Sequence, residues 1–313
     1  MKILFTFPGQ GTQTVGMLHH LPQTQLTTRL LTQANQALNE DVLLLDSNQA
    51  LQKTRAVQLC DLIVGVVYAS LLQAEGVVAD MVSGLSIGAF PAAVVAGALS
   101  FTDAVKLVSL RGSLMEDAYP TDYGMTSIQG LFAPQVEKIV NSVNSDTQPV
   151  YLANFNDEKQ FVISGSEPAM QKVAQLALAQ GAAKVTKLAV SVPSHCQLLT
   201  DPANQLHHAI KRVEFKRPTL RYLSGSTARV ISEPNKIADD LAFNMCRPVH
   251  WYDAMVAANE RAIKLAIEMP PGAVLTGLTK KALDGGEAVS VCKNGISSVV
   301  ALARVLQKSE DYC

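Results

Sequence analysis

The segment Gly84-Leu85-Ser86-Ile87-Gly88 constrains this chain more than any other. The apolar run Met81-Val82 leads into it, and a small-residue helical stretch from Ile87 to Ala98 leads out. A strand that turns at once into a helix, with a glycine on either side of a serine, reads as a nucleophile elbow. The glycines let the backbone bend sharply and leave room beside the side chain, so the Ser86 hydroxyl stands exposed at the strand tip. Ser86 is thereby a candidate acyl-enzyme nucleophile. An ordinary strand-to-helix turn can carry the same pentapeptide, so the weight of the reading rests on its surroundings.

At 313 residues and 48% hydrophobic content the chain can bury a large core, most simply as one main domain and a smaller one. Lysine and arginine total 26 against 27 acidic residues, a net charge of −1, which leaves no electrostatic footprint for nucleic acid or an anionic membrane. No run approaches the roughly 18 uninterrupted apolar residues of a membrane-spanning helix. The apolar run from Lys2 to Phe7 stops at Pro8-Gly9, as a first strand does and a signal peptide does not. These features predict a cytoplasmic protein. Five cysteines, Cys60, Cys196, Cys246, Cys292 and Cys313, have neither the pairing of a disulfide framework nor zinc-ligand spacing, so they read as buried reduced thiols and no metal is expected.

The first 120 residues alternate short apolar strands with helical patterns, as a mostly parallel α/β sheet requires. Leu59, Leu62, Ile63, Val66, Val67 and Leu71 recur at helical spacing and predict a core helix from Thr54 to Ala74. A second helix follows Thr102, read as its N-cap, and carries Arg111. Between Tyr119 and Ser191 the pattern becomes βαββαβ, the ferredoxin-like plan, predicting an inserted subdomain that walls a cleft. After Pro193 the α/β pattern resumes. The expected organisation is therefore a catalytic domain from residues 1–120 and 192–313, with an insertion over 121–191.

A serine hydroxyl needs a base at neutral pH, and His195 in Val192-Pro193-Ser194-His195-Cys196 is the best placed of the six histidines. His250 is its one serious competitor. Cys196 is a second candidate nucleophile, with a buried structural thiol as the alternative. No acidic residue stands out to orient His195, so a dyad completed by a backbone or side-chain carbonyl is expected in place of a triad. The N–H of Ile87, at a helix N-terminus, is a natural oxyanion donor, and the loop from Phe7 to Gln13 can supply a second at Gln10. Gly112 follows Arg111 within a helix, where glycine costs roughly 1 kcal/mol relative to alanine, so a close neighbour is expected there. Arg111 could clamp a carboxylate bidentately or serve as a structural ion pair.

Phe7-Pro8-Gly9-Gln10-Gly11-Thr12-Gln13, Gly84-Leu85-Ser86-Ile87-Gly88, Leu110-Arg111-Gly112, Pro193-Ser194-His195-Cys196 and Val274-Leu275-Thr276-Gly277-Leu278 occur in this order along the chain. In order and spacing they resemble the malonyl-CoA:acyl-carrier-protein transacylases over nearly the whole length. The resemblance implies an α/β-hydrolase-like core with a mostly parallel sheet and an inserted ferredoxin-like subdomain. It implies a Ser86/His195 dyad, an oxyanion hole at the amides of Gln10 and Ile87, and ping-pong acyl transfer. Arg111, with Gln10 and Asn244, would bind substrate, and the carbonyl partner of His195 would lie at Asn244. Malonyl-CoA and an acyl carrier protein are the implied partners, with CoA thioester as substrate and no permanently bound cofactor.

Leu85 before the nucleophile, Ala89 after the second glycine, and Asn244 ahead of Arg247-Pro248-Val249 depart from the fatty-acid-synthesis enzymes. With Tyr222-Leu223-Ser224-Gly225-Ser226-Thr227, they look like the malonate decarboxylase epsilon subunits, which load malonyl onto that system's own carrier. Other malonate decarboxylase subunits are then expected partners. The fatty-acid-synthesis transacylase and a serine thioesterase are the competing readings. Lys211, Arg212, Lys216 and Arg217 form a basic cluster that would suit carrier docking or simply a solvated face.

Overall fold

The computed structural model describes residues 1–119 and 121–310. Strand β1 (Lys2–Phe7) and β2 (Met81–Gly84) pair in parallel at the centre of a six-stranded sheet. Its other strands are β7 (Arg221–Leu223), β8 (Val230–Ile231), β9 (Ile263–Glu268) and β10 (Glu287–Ser290), in the order β10-β9-β1-β2-β7-β8. Only β8, at the edge, runs antiparallel to its neighbour. Strands buried on both faces read as continuous apolar runs. Ile3, Leu4, Phe5 and Phe7 of β1 obey this, each at most 1% exposed.

Strands β3 (Tyr123–Gln129), β4 (Val150–Asp157), β5 (Gln160–Ser166) and β6 (Lys184–Lys187) form a separate antiparallel sheet in the order β4-β5-β3-β6. With α5 (Ala133–Val143) and α6 (Glu167–Ala179) it has its own core of Ile128, Val136, Phe161, Ile163 and Val173. This is the βαββαβ order read from the sequence. The edge of β4 is stitched to the main sheet's side of the molecule: Phe155 N–H donates to Val249 O at 2.8 Å, and Val249 N–H to Ala153 O at 2.8 Å. An ion pair between Lys281 and Asp157 and a hydrogen bond from Tyr252 Oη to Glu158 fasten the same wall.

Helices α1 (Gln25–Leu38), α2 (Thr54–Ala74), α3 (Ala89–Val95) and α4 (Phe101–Ala118) cover one region of the large sheet. The 21-residue α2 is long and apolar enough to cross a membrane, but 78% of its most apolar window is buried inside the fold, and it serves as the central core helix. Helix α4 is capped by Ser100, whose Oγ accepts from Asp103 N–H at 3.1 Å, so its N-cap lies two residues before the expected Thr102. A Cβ on Gly112 would lie 2.4 Å from Arg55 Cα, so the glycine lets α4 cross α2 at backbone contact, the close neighbour the sequence anticipates.

The second half adds α7 (Thr200–Ile210), α8 (Pro234–Phe243), α9 (Trp251–Asn259), α10 (Val274–Ala282), α11 (Val291–Asn294) and α12 (Ile296–Glu310). Of the cysteines, Cys60 and Cys196 are buried, whereas Cys246 is half-buried and Cys292 exposed, which corrects the expectation of uniformly buried thiols; Cys313 lies outside the described residues.

Candidate active site

Ser86 sits where β2 ends, in a short 3-10 turn that runs into α3. Its φ is +57°, the left-handed region that non-glycine residues avoid, so the turn holds the serine in a strained, outward conformation. The flanking glycines are sterically required. A Cβ on Gly84 would lie 2.0 Å from the Gly88 carbonyl, and one on Gly88 would lie 2.1 Å from Phe7 O. The elbow therefore presses against the end of β1, and Leu85 N–H donates to Phe7 O at 3.0 Å. This brings the loop Pro8-Gly9-Gln10-Gly11 alongside Ser86, and all of these residues line one cavity of about 270 Å³. The Ile87 amide lies in the 3-10 turn that opens at Ser86, where the first backbone N–H groups lack helical acceptors.

His195 lines the same cavity, at the return from the antiparallel sheet. It too has a positive φ, +64°, and its N–H donates to Met245 O at 2.7 Å. Its Nδ1 lies 2.8 Å from Asn244 O and 3.3 Å from Arg247 O. Carbonyls only accept, so Nδ1 carries the proton and Nε2 is left with the basic lone pair. Burial, with Arg111 as the second cause, lowers the His195 pKa to about 4, so the ring is neutral at neutral pH. The Ser86 hydroxyl is not hydrogen-bonded to the imidazole here. It accepts from Arg111 Nη2 at 3.4 Å, and serine χ1 has three staggered positions open to it.

Arg111 lies fully buried beneath Ser86. Nη1 donates to Gln58 Oε1 at 2.7 Å, Nη2 to Asn244 Oδ1 at 3.0 Å, and Nε has no partner. Its partners are neutral amides, and burial lowers its pKa to about 9. A guanidinium without a counter-ion, with one edge of its fork free or weakly engaged, is a ready site for a carboxylate.

Asn244 joins all of these groups. Its backbone carbonyl takes His195, its Oδ1 takes Arg111, and its Nδ2 donates to Ser86 O at 3.0 Å. The carbonyl that orients His195 is thus main-chain, with the Asn244 side chain fixing the elbow and the arginine. Gln58, which sequence reading passed over as part of a core helix, also donates to Gln10 Oε1 at 3.2 Å and so ties the β1 loop to Arg111. Gln58 is fully buried in α2, one of three buried polar residues there with Thr54 and Asp61.

The competing residues fall away from the cavity. Cys196 faces Ser164 and Pro193 O, and burial raises its pKa to about 11, leaving an unreactive thiol. His250 stacks on Phe155 with ring centroids 4.8 Å apart and lies 3.4 Å from Asp253. The exposed Lys211, Arg212, Lys216 and Arg217 precede β7, and so lie at the end of the sheet opposite the Ser86 loop. Among the described residues no group of three His, Cys, Asp or Glu gathers to hold a metal.

The acyl transferase domain family matches residues 4–305. The chain belongs to the acyl transferase family. It is an acyltransferase, with curated relatives covering 90% to 97% of its length. The malonyl CoA-acyl carrier protein transacylase of Haemophilus influenzae is 33% identical over 97% of this chain and 99% of its own, and that of Bacillus subtilis is 32% identical over 90% of each. Among solved structures, FabD from Acinetobacter baumannii superposes with a TM-score of 0.92 at 32% identity, covering 97% of this chain and 99% of that one. A malonyl-transacylase solved in complex with its type II PKS acyl-carrier protein gives 0.89 at 30% identity, over 97% and 99%. The mixed α/β fold, with one mostly parallel and one antiparallel sheet, is the fold of these proteins.

Proposed function

We propose that this acyltransferase moves a malonyl group from CoA to the thiol of an acyl carrier protein through a malonyl ester on Ser86. The observation that carries the reading is the uncompensated Arg111 guanidinium, fully buried and 3.4 Å from the Ser86 hydroxyl. His195 Nε2 takes the Ser86 proton as Oγ attacks the thioester carbonyl. The Gln10 and Ile87 amides receive the oxyanion. The C–S bond breaks, and the proton held by His195 leaves with CoA as its thiol. In the second half-reaction the carrier thiol gives its proton to His195, attacks the ester, and Ser86 recovers its proton. Meanwhile the Nε–Nη2 edge of Arg111 holds the free carboxylate of the malonyl group. An acetyl group would leave that buried charge unpaired, which disfavours it.

Two readings of the acceptor remain, and they share this chemistry. The carrier protein of fatty acid synthesis is favoured by curated relatives named as malonyl CoA-acyl carrier protein transacylases. The malonate decarboxylase carrier, expected from Leu85, Asn244 and the Tyr222–Thr227 segment, finds no support among those relatives and is the weaker reading. Transfer rates to the two carriers measured side by side decide between them. A thioesterase would consume malonyl-CoA continuously without any acceptor, whereas a transferase releases one equivalent of CoA and stops. Continuous release would reject the proposal. Its chemistry and composition also suit a cytoplasmic location.

A further inference from the structure

The loop that follows β1 carries the Gln10 amide and is anchored on both sides of Gly11. The Gln10 side chain accepts from Gln58 Nε2 at 3.2 Å, and Thr12 Oγ1 donates to Pro271 O at 2.9 Å. Between these anchors Gly11 has a φ of +122°, a conformation that suits glycine and few other residues, so rotation at this point meets little steric resistance. The peptide there is held by a side chain two residues on: Gly11 N–H donates to Gln13 Oε1 at 2.7 Å, the short end of the range for such bonds. Gln10, Gly11 and Thr12 line the cavity that holds Ser86 and His195, and Gln13 is not part of that lining. Gln13 therefore shapes the loop without meeting the substrate.

We infer that Gln13 is a positioning residue for acyl transfer: its side-chain amide locks the Gln10–Gly11 peptide and so keeps the Gln10 N–H aimed at the oxyanion. This rests on the malonyl-transfer reading, in which that N–H is one of the two donors. An oxyanion hole works because its donors are aimed before charge develops, and a donor that must first be ordered gives back part of its stabilisation. Glycine at position 11 lets the Gln10–Gly11 peptide rotate, which changes the backbone torsions of Gln10 and turns its N–H off the hole. The bond to Gln13 opposes that rotation. The oxyanion is common to every acyl group, so the effect of Gln13 is separate from the choice of acyl group made at Arg111.

Single-turnover acylation of wild type, Gln13→Met and Gln13→Glu with malonyl-CoA and acetyl-CoA tests this. Methionine keeps the length of the side chain and removes the acceptor, whereas glutamate keeps an acceptor within the same reach. Gln13→Met should lower the maximal acylation rate roughly 3–10-fold, as loss of one neutral hydrogen bond predicts, with the half-saturating thioester concentration within about twofold of wild type. The loss should be the same for malonyl and acetyl, and Gln13→Glu should recover most of it. A loss under about twofold in Gln13→Met, a loss confined to half-saturation, or a Gln13→Glu variant no better than Gln13→Met would overturn the inference. Should Gln13→Met fail to fold, Gln13→Ala carries the same comparison. If neither thioester acylates wild type, the transfer reading fails on its own account. Amide hydrogen exchange then still decides the inference, because it needs no turnover: the Gln10 and Gly11 N–H groups should exchange several-fold faster in Gln13→Met and recover in Gln13→Glu, and unchanged exchange refutes it.

Discussion

Replacing Arg111 with methionine keeps most of the buried volume while removing the guanidinium, and its effect can be worked from the geometry. Nη1 is committed to Gln58 and one Nη2 hydrogen to Asn244, which leaves the buried, unpartnered Nε and the Nη2 hydrogen now 3.4 Å from Ser86 as the two donors that a carboxylate displacing that contact would take. Two charge-assisted hydrogen bonds at about 1.5–3 kcal/mol each amount to roughly 3–6 kcal/mol. At 1.36 kcal/mol per tenfold, kcat/KM for malonyl-CoA should fall about 10²–10⁴-fold. Acetyl-CoA has no carboxylate, so its rate should change by less than about tenfold, a shift set by the neighbours Gln58 and Asn244 losing their donor. The assay is kcat/KM for both thioesters with one carrier protein. Equal losses for malonyl and acetyl would refute the assignment of Arg111 to the acyl carboxylate.

Other consequences are independent of that one. Because burial and then Arg111 depress the His195 pKa to about 4, the acid limb of the acylation rate should fall near pH 4 and not near 6.5, and in Arg111→Met it should move to higher pH. The same depression is a linkage statement. Unfolded chains bind the His195 proton below about 6.5 and the native state does not, so stability is lost as pH falls from there towards 4, by about 3 kcal/mol in all, measurable by denaturant titration. Asp61 is buried in α2 with both carboxylate oxygens unpaired, and burial raises its pKa well above the usual range. Asp61→Leu should raise the unfolding midpoint by removing a cost of about 1–3 kcal/mol, and a lower midpoint would show that the carboxyl has a partner after all. Gly88→Ala should abolish folding of the elbow, since its methyl would meet Phe7 O, and near-native activity in that variant would contradict the steric argument.

The sequence made the architecture legible because periodicity and punctuation agreed. The run Lys2 to Phe7, the leucine and valine spacing of α2, and the βαββαβ order between Tyr119 and Ser191 each have one structural solution. Ser86, His195 and Arg111 could be proposed from sequence only as a set, through the order of five motifs that resembles the transacylases, since each alone has an ordinary structural reading. What stayed hidden depends on folding. Gln58 is 53 residues from Arg111, and whether it bonds is decided by the crossing of α2 and α4 at Gly112. The part of Asn244 that orients His195 is a main-chain carbonyl, which no side-chain identity reveals. The basic cluster at Lys211 to Arg217 looked suitable for carrier docking only without the sheet direction, which puts it at the far end from Ser86.

The central claim is that Ser86 carries the acyl group. Wild-type protein incubated with malonyl-CoA and no acceptor, then digested and analysed by peptide mass spectrometry, should show a single malonyl ester on the peptide containing Ser86, with none on Ser86→Ala. A malonyl adduct on the alanine variant, or one mapped to Cys196, would contradict the account.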